Sequence, residues 1–266
     1  MTSERPAVAC STISVFPRPL DQAFALIAQS GFDGAEVMVT TDPDTQDAAR
    51  IRGVSEDHDL PVVAVHAPFL LMARRVWGRD PVGKIERAVE LALRVAAPVV
   101  VVHPPYRWQT AYRRWLDERS SAAADAWGVR IAVENMFPLR VRGRSVARFH
   151  ARQTLEDLER FDAVTLDTSH LAVAGLDPVE AIGRLGDRLA HVHLSNNAGR
   201  GWDSHSPLDE GVLDIGRVLE TLAARGYRGA VSLEIDLRRH IKDEPALRSV
   251  LTRSREICES RLTLPA

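Results

Sequence analysis

The chain has almost no cysteine: two residues in 266, Cys10 and Cys258, with no Cys-x-x-Cys pair. A disulfide framework and a cysteine-ligated zinc finger are excluded, and a reducing cytosol is the expected compartment. No sign of charge dominates. Lys and Arg number 34 against 36 Asp and Glu, a formal net charge of −2, whereas a dedicated polyanion binder carries a basic excess over its whole domain. Long apolar runs are missing too. The longest, around Val99–Val102, falls far short of the ~20 residues that span a bilayer, so no membrane partner is expected. The opening MTSERPAVACSTISVFP has no basic stretch leading into an apolar one and does not read as a signal peptide. A cytoplasmic protein is expected. No Pro/Ser-rich linker or shift of composition divides the sequence, so residues 1–266 read as one domain. No Gly-x-Gly-x-x-Gly follows the first apolar run, which argues against a doubly wound dinucleotide fold.

What is present is enough apolar material, 45%, to build a large core. Short β-branched runs recur: Val8–Ser14, Gly34–Val39, Pro61–His66, Pro98–His103, Val129–Glu134, Ala163–Asp167, Leu189–Leu194 and Ala230–Ile235. Most are nearly continuous apolar segments, as parallel strands buried on both faces require. Between them lie stretches of helical periodicity, such as Leu20–Ser30, Pro81–Ala96 and Asp214–Arg225. Asp-Pro pairs open two of the helical stretches and Gly31, Gly128 and Gly226 close others. Eight strand–helix repeats predict a single (β/α)8 barrel, an α/β fold.

Strands buried on both faces should stay apolar to their ends, and these do not. The second run carries Glu36. The third and fourth end in His66 and His103, the fifth in Glu134, the sixth in Asp167 with His170 just beyond. The seventh contains His191 and His193, the eighth Glu234, and the loop after the seventh adds Asp203 and His205. The C-terminal strand ends of such barrels carry the active site. Buried carboxylates must be paired or bind a cation, and imidazole and carboxylate groups converging from several strands suit zinc, manganese, magnesium, cobalt or a similar divalent ion. One such histidine alone is ordinarily a hydrogen-bonded core residue; the series across seven strands is what points to a metal. His58, His150 and His240 fall elsewhere and receive no role. Glu36 is expected to orient substrate or a ligand, or to form a structural pair.

The segments HAPF, HPP, VENM, LDTSH, VHLSN, DSHSPLDEG and SLEID, in this order, resemble the serial signatures of xylose-isomerase-like TIM barrels, from about Val8 to about Glu256. That superfamily includes sugar isomerases and epimerases, inosose dehydratase relatives and the family 2 AP endonucleases. The resemblance implies that Glu134, Asp167, His193 and Glu234 hold one metal ion, with Glu134 and Glu234 also moving protons, and that no nicotinamide cofactor takes part. The nuclease branch implies a trinuclear zinc cluster on His66, His103, Glu134, Asp167, His170, His193, Asp203, His205 and Glu234, all nine being present. Against it, the turn SPLDEG is closer to that of the sugar isomerases, and no DNA-inserting loop is matched.

The loops expected above the site are basic and aromatic: Arg74, Arg75, Trp77 and Arg79; Tyr106, Arg107, Trp108, Arg113 and Arg114; Arg140, Arg142, Arg144 and Arg148. Arginine grips phosphate and carboxylate in bidentate fashion, and flat rings stack on sugars or bases. Glu36, Arg107, Trp108 and Arg140 are therefore the expected substrate contacts. The expected partner is a small polyhydroxylated and anionic molecule, with nucleic acid as the second class. Self-association into a homo-oligomer is compatible with either.

Overall fold

In the computed structural model, which describes residues 5–69, 73, 75–141 and 144–262, eight apolar runs become parallel strands. They are β1 (Val8–Ser11), β2 (Gly34–Met38), β3 (Val62–His66), β4 (Val99–Val102), β5 (Arg130–Glu134), β8 (Val164–Asp167), β9 (Leu189–Leu194) and β10 (Ala230–Leu233). Each pairs with the next around the ring, and β10 closes on β1, giving a closed barrel. Closure leaves no strand edge to protect. The surrounding helices include α1 (Leu20–Gln29), α2 (Ala48–Asp57), α3 (Pro81–Arg94), α4 (Thr110–Trp127), α6 (Thr168–Ala174), α7 (Pro178–Leu185), α8 (Ile215–Ala224) and α9 (Glu244–Arg261). The architecture is the expected (β/α)8 barrel.

Local chemistry explains where the helices start. Asp47, Asp80, Asp177, Asp214 and Asp243 each accept a backbone N–H of the following turn through their side chain, satisfying donors that a helix leaves unpaired. Proline in the first turn of α3, α7 and α9 costs nothing there, since its missing N–H would have had no helical partner. Gly128 ends α4 at φ 68°, where a side chain would be strained.

Two departures from the sequence reading matter. The first run is a strand only to Ser11; Thr12–Val15 is a tight helical turn. After β5 the chain builds an antiparallel hairpin, β6 (Leu139–Val141) with β7 (Arg144–Ala147), and a single helical turn, α5 (Leu155–Leu158), where a full helix was expected. Among the described residues, no helix is long and apolar enough to cross a membrane.

Side chains alternate along each strand. Residues such as Val8, Val37, Val65, Val100, Val133 and Leu166 join the large cluster that the helices cover. A second, smaller cluster holds Ala64, Val99, Val101, Ala132, Ala163 and Ala190. On β3, β4 and β5 these lead, at alternate positions, to His66, His103 and Glu134, so they share the inner face with the residues at the strand ends.

Candidate metal centre

Glu134 stands at the top of β5, almost wholly buried, with imidazoles on several sides. Its Oε2 lies 3.3 Å from His66 Nε2 and 3.1 Å from His103 Nε2; its Oε1 lies 3.2 Å from His170 Nδ1 and 3.4 Å from His193 Nδ1. His193 Nδ1 in turn is 3.0 Å from Glu234 Oε2 and 3.9 Å from Asp167 Oδ2. Asp203 Oδ2 is 2.7 Å from His205 Nε2 and 3.3 Å from His170 Nε2. The nine residues named from the sequence form one connected group at the C-terminal end of the barrel.

The backbone explains why each points inward. Asp167 ends β8 and caps α6: its Oδ1 accepts from the His170 N–H at 2.7 Å. One carboxylate oxygen is consumed and Oδ2 is left over. Asn135, next to Glu134, accepts from the Asp167 N–H at 2.7 Å and donates to the Asp167 carbonyl at 3.0 Å, tying β5 to β8. Asn135 also offers its carbonyl to His170 Nδ1 at 2.8 Å. Ser169 Oγ donates to Asp203 at 2.6 Å and receives from Asn197 at 2.9 Å. His205 adopts φ 39°, uncommon outside glycine, and its Nδ1 approaches the Glu234 carbonyl at 2.9 Å.

Glu36 does not face the mouth. It is wholly buried, and its Oε2 accepts from His191 Nε2 at 2.6 Å and from His193 Nε2 at 3.0 Å, while Ser11 Oγ donates to Oε1 at 3.2 Å. Of the roles expected for Glu36, this geometry fits orienting a ligand or a structural pair: two imidazoles occupy the carboxylate from below the site. With Nε2 directed to Glu36, Nδ1 is the His193 nitrogen left for a cation. A carboxylate behind a histidine fixes ring orientation and raises ligand basicity.

Charge coupling divides these groups. Burial alone would raise Glu134, but His103 and His193 beside it hold it well below the usual carboxylate range. Burial raises Asp167 and Glu234. Burial would lower His193, yet Glu36, Glu234 and Glu134 hold it well above the ordinary histidine value. His205, opposed in the same way by Asp167 and Asp203, is held at about 9. His103 and His191 are pushed down by burial.

A donor set built for a cation should show donor atoms that the protein itself leaves unused. Asp167 Oδ2, His193 Nδ1 and Glu234 Oε2 are buried without a hydrogen-bond partner among the described residues, and donor atoms of these three residues lie within 4.8 Å of one another. Two oxygens and an imidazole nitrogen, with Glu134 adjoining, fit a divalent ion. The same closeness recurs for His66, Glu134 and His193, and for Asp167, His170 and His205.

Above the ring, Trp108 is exposed and stacks on Tyr106 with ring centroids 4.8 Å apart; Tyr106 stacks on the buried His150 at 4.5 Å. His150 Nδ1 donates to the Pro104 carbonyl at 2.8 Å, which joins the platform to the segment after His103. Arg107 is exposed beside it. Arg74 and Arg142 lie outside the described residues, as do the side chains of Arg140 and Arg144. The sequence reading missed Asn135 and Ser169, and named His191 without giving it a role. The first two adjoin Glu134 and His170 in the same motifs, which was the available signal.

Residues 24–257 match the family described as xylose isomerase-like TIM barrel. The chain belongs to that family. A Mycobacterium leprae (strain TN) member whose activity is uncharacterized is 37% identical, covering 86% of this chain and 88% of its own; a Mycobacterium tuberculosis (strain ATCC 25618 / H37Rv) relative, also uncharacterized, is 37% identical over 87% and 90%. Among solved structures, a D-tagatose 3-epimerase-like protein superposes with TM-score 0.68 at 23% identity, covering 96% of this chain and 98% of that one. The 3-keto-D-glucoside 4-epimerase of E. coli gives TM-score 0.71 at 19% identity, over 95% and 100%. A family 2 AP endonuclease from Brucella melitensis gives 0.70 at 22%, over 88% and 94%. This xylose isomerase-like barrel thus shares its fold with epimerases and with a nuclease alike.

Proposed function

We propose that this barrel is a divalent-metal-dependent isomerase or epimerase of a polyhydroxylated small molecule, a sugar, sugar phosphate or cyclitol, acting by proton transfer next to a carbonyl. The observation that carries this reading is the approach of Glu134 Oε1 and Glu234 Oε2, from strands three apart on the ring, to the same His193 nitrogen at 3.4 and 3.0 Å. Glu134, Asp167, His193 and Glu234 would hold the ion. Once bound, a divalent ion polarises a substrate oxygen and so acidifies the neighbouring C–H. The two glutamates then act on one carbon held between them: one, as carboxylate, takes the proton, and the other, protonated beforehand, delivers its own proton to that carbon or its neighbour. Glu234, whose side chain is 17% exposed against 2% for Glu134, is the more open to substrate. Trp108, backed by Tyr106, offers a flat apolar face for a sugar ring. Arg107 beside it supplies charge for an anionic group. The named activities of two neighbours, a 3-keto-D-glucoside 4-epimerase and a D-tagatose 3-epimerase-like protein, support this class of reaction.

A second reading, a zinc-dependent AP endonuclease or other phosphodiesterase, or a lyase on the same residues, is favoured by the two further donor groups around His66 and around His170 with His205. Several ions can share the attacking and leaving oxygens of a phosphodiester.

The test is turnover of ketoses and ketose phosphates by the manganese-loaded protein in deuterated water. Deuterium is expected at the carbon beside the carbonyl, and Glu134→Gln or Glu234→Gln should weaken metal binding and, at manganese concentrations that restore occupancy, still lower turnover at least about 100-fold. Product without deuterium would overturn the two-glutamate route. Three zinc ions per chain with cleavage of an abasic duplex would establish the second reading.

A further inference from the structure

At the end of the barrel opposite the metal centre, the strand beginnings open into a cavity of about 540 Å3. This falls inside the roughly 300–1,000 Å3 typical of small-molecule pockets. Its walls include Val63, Val99 and Leu189, and its rim carries Arg130, Arg225 and Arg228 against one carboxylate, Asp187.

Several surface arginines are matched by carboxylates, as Arg152 is with Asp117 and Arg184 with Glu159. Among the described residues none of these three is paired with a carboxylate. Arg130 reaches only the Asp187 carbonyl, at 3.5 Å. A chain of net charge −2 therefore directs three unpaired guanidinium groups at one concave surface, where the field of like charges is focused.

The cavity is also preformed. Tyr227 Oη donates to the Ala230 carbonyl at 3.0 Å. A Cβ at Gly229 would come within 2.3 Å of that hydroxyl and 2.5 Å of the Ala190 carbonyl, so only glycine lets the rim close this tightly. His191 lines the cavity, and although it is fully buried its Nδ1 has no hydrogen-bond partner among the described residues.

We propose that this cavity is a second binding site, for a small organic anion that presents a phosphate or carboxylate to the arginines and an apolar body to the strand-end walls. Guanidinium groups recognise both oxyanions in bidentate fashion. Because the cavity lies at the N-terminal end of the strands, a molecule bound there is not at the metal centre. The site stands whether or not the reaction proposed above is correct.

Calorimetric titration of the full chain with phenyl phosphate and, separately, benzoate tests this. At least one should bind. Arg225→Ala combined with Arg228→Ala, both exposed residues, should weaken binding at least about tenfold, as expected for losing charged hydrogen bonds. Arg130→Ala should shift it in the same direction, and Glu234→Gln should leave it unchanged. Binding of phenyl phosphate alone identifies a phosphate ligand, and of benzoate alone a carboxylate. Failure of both probes overturns the proposal. So does binding that survives the double arginine variant but is lost in Glu234→Gln, which would put the probe at the other end of the barrel.

Discussion

Followed upward along its inner face, β4 runs from Val99 through Val101 to His103 just past its end, β3 from Ala64 to His66, and β5 from Ala132 to Glu134. On these three strands the lower half of the barrel interior is made of methyl groups, and the upper half of imidazoles and a carboxylate. The two halves have the same backbone and the same burial. They differ in what burial costs. Below, packing small apolar groups is favourable. Above, carboxylates out of water are favourable only when matched by charge or a cation. Asp167 and Glu234 are held above their ordinary pKa by burial, so at neutral pH their ionised forms weaken the metal-free fold. These two carboxylates, unlike Glu134, therefore cost the metal-free fold stability.

The most forceful way to break this contrast is Asp167→Asn. Asparagine can still accept the His170 N–H and keep the cap of α6, so shape survives and charge does not. Affinity for manganese or zinc should fall at least about 100-fold, beyond the usual effect of losing an outer-shell partner. The metal-free variant should melt no lower than the parent, and higher if the buried charge is the burden described. Equilibrium dialysis and differential scanning calorimetry read the two effects. Unchanged metal affinity would remove Asp167 from the ligand set.

Glu36 and His191 mark the boundary between the halves, and Glu36→Gln probes it. The variant keeps a hydrogen-bond acceptor beneath His193 but no charge. Because the substitution acts through His193 orientation and basicity, metal affinity should weaken by about 10- to 100-fold, less than for Asp167→Asn. Glu36→Asp should recover part of it. If Glu36→Gln binds metal like the parent, Glu36 serves only the packing of the core.

The boundary is also where sequence reading loses its grip. A residue's alternation along a strand tells which face it occupies, but not its height in the barrel. Glu36 has the same parity as a mouth residue and sits one layer too deep; His191 and His193 share a face and were separable only by the family resemblance. Strand ends were legible because buried parallel strands are apolar and the polar residues interrupt them. The end of β1 was not, since Ile13 and Val15 are as apolar in a helical turn as in a strand. The hairpin β6–β7 did carry a short alternation, Leu139 and Val141 between arginines ahead of Gly143, but the stretch is so rich in arginine that it reads as a basic loop.

The gentlest test asks whether carboxylates, rather than burial, distinguish the ring histidines from their neighbours. His150 is buried beside the ring, yet its Nδ1 meets only the Pro104 carbonyl. Burial therefore pushes it from 6.5 down to about 4, whereas His205 is held at about 9 by Asp167 and Asp203. The signs are opposite. His150 must stay neutral in the fold, so its contribution is present above about pH 6.5 and is lost as the pH falls toward 4, where the unfolded chain takes up the proton first. His205 contributes below 6.5 and loses that contribution as the pH rises through 9. Between about pH 6.5 and 5.5 the His150 effect is on the order of 1 kcal/mol. His150→Asn keeps a donor for the Pro104 carbonyl and removes the titrating group. Urea unfolding at the two pH values should show the parent losing about 1 kcal/mol more than the variant over that interval. Equal losses would mean that His150 titrates normally in the folded protein, and that burial without a carboxylate is not what separates it from the ring.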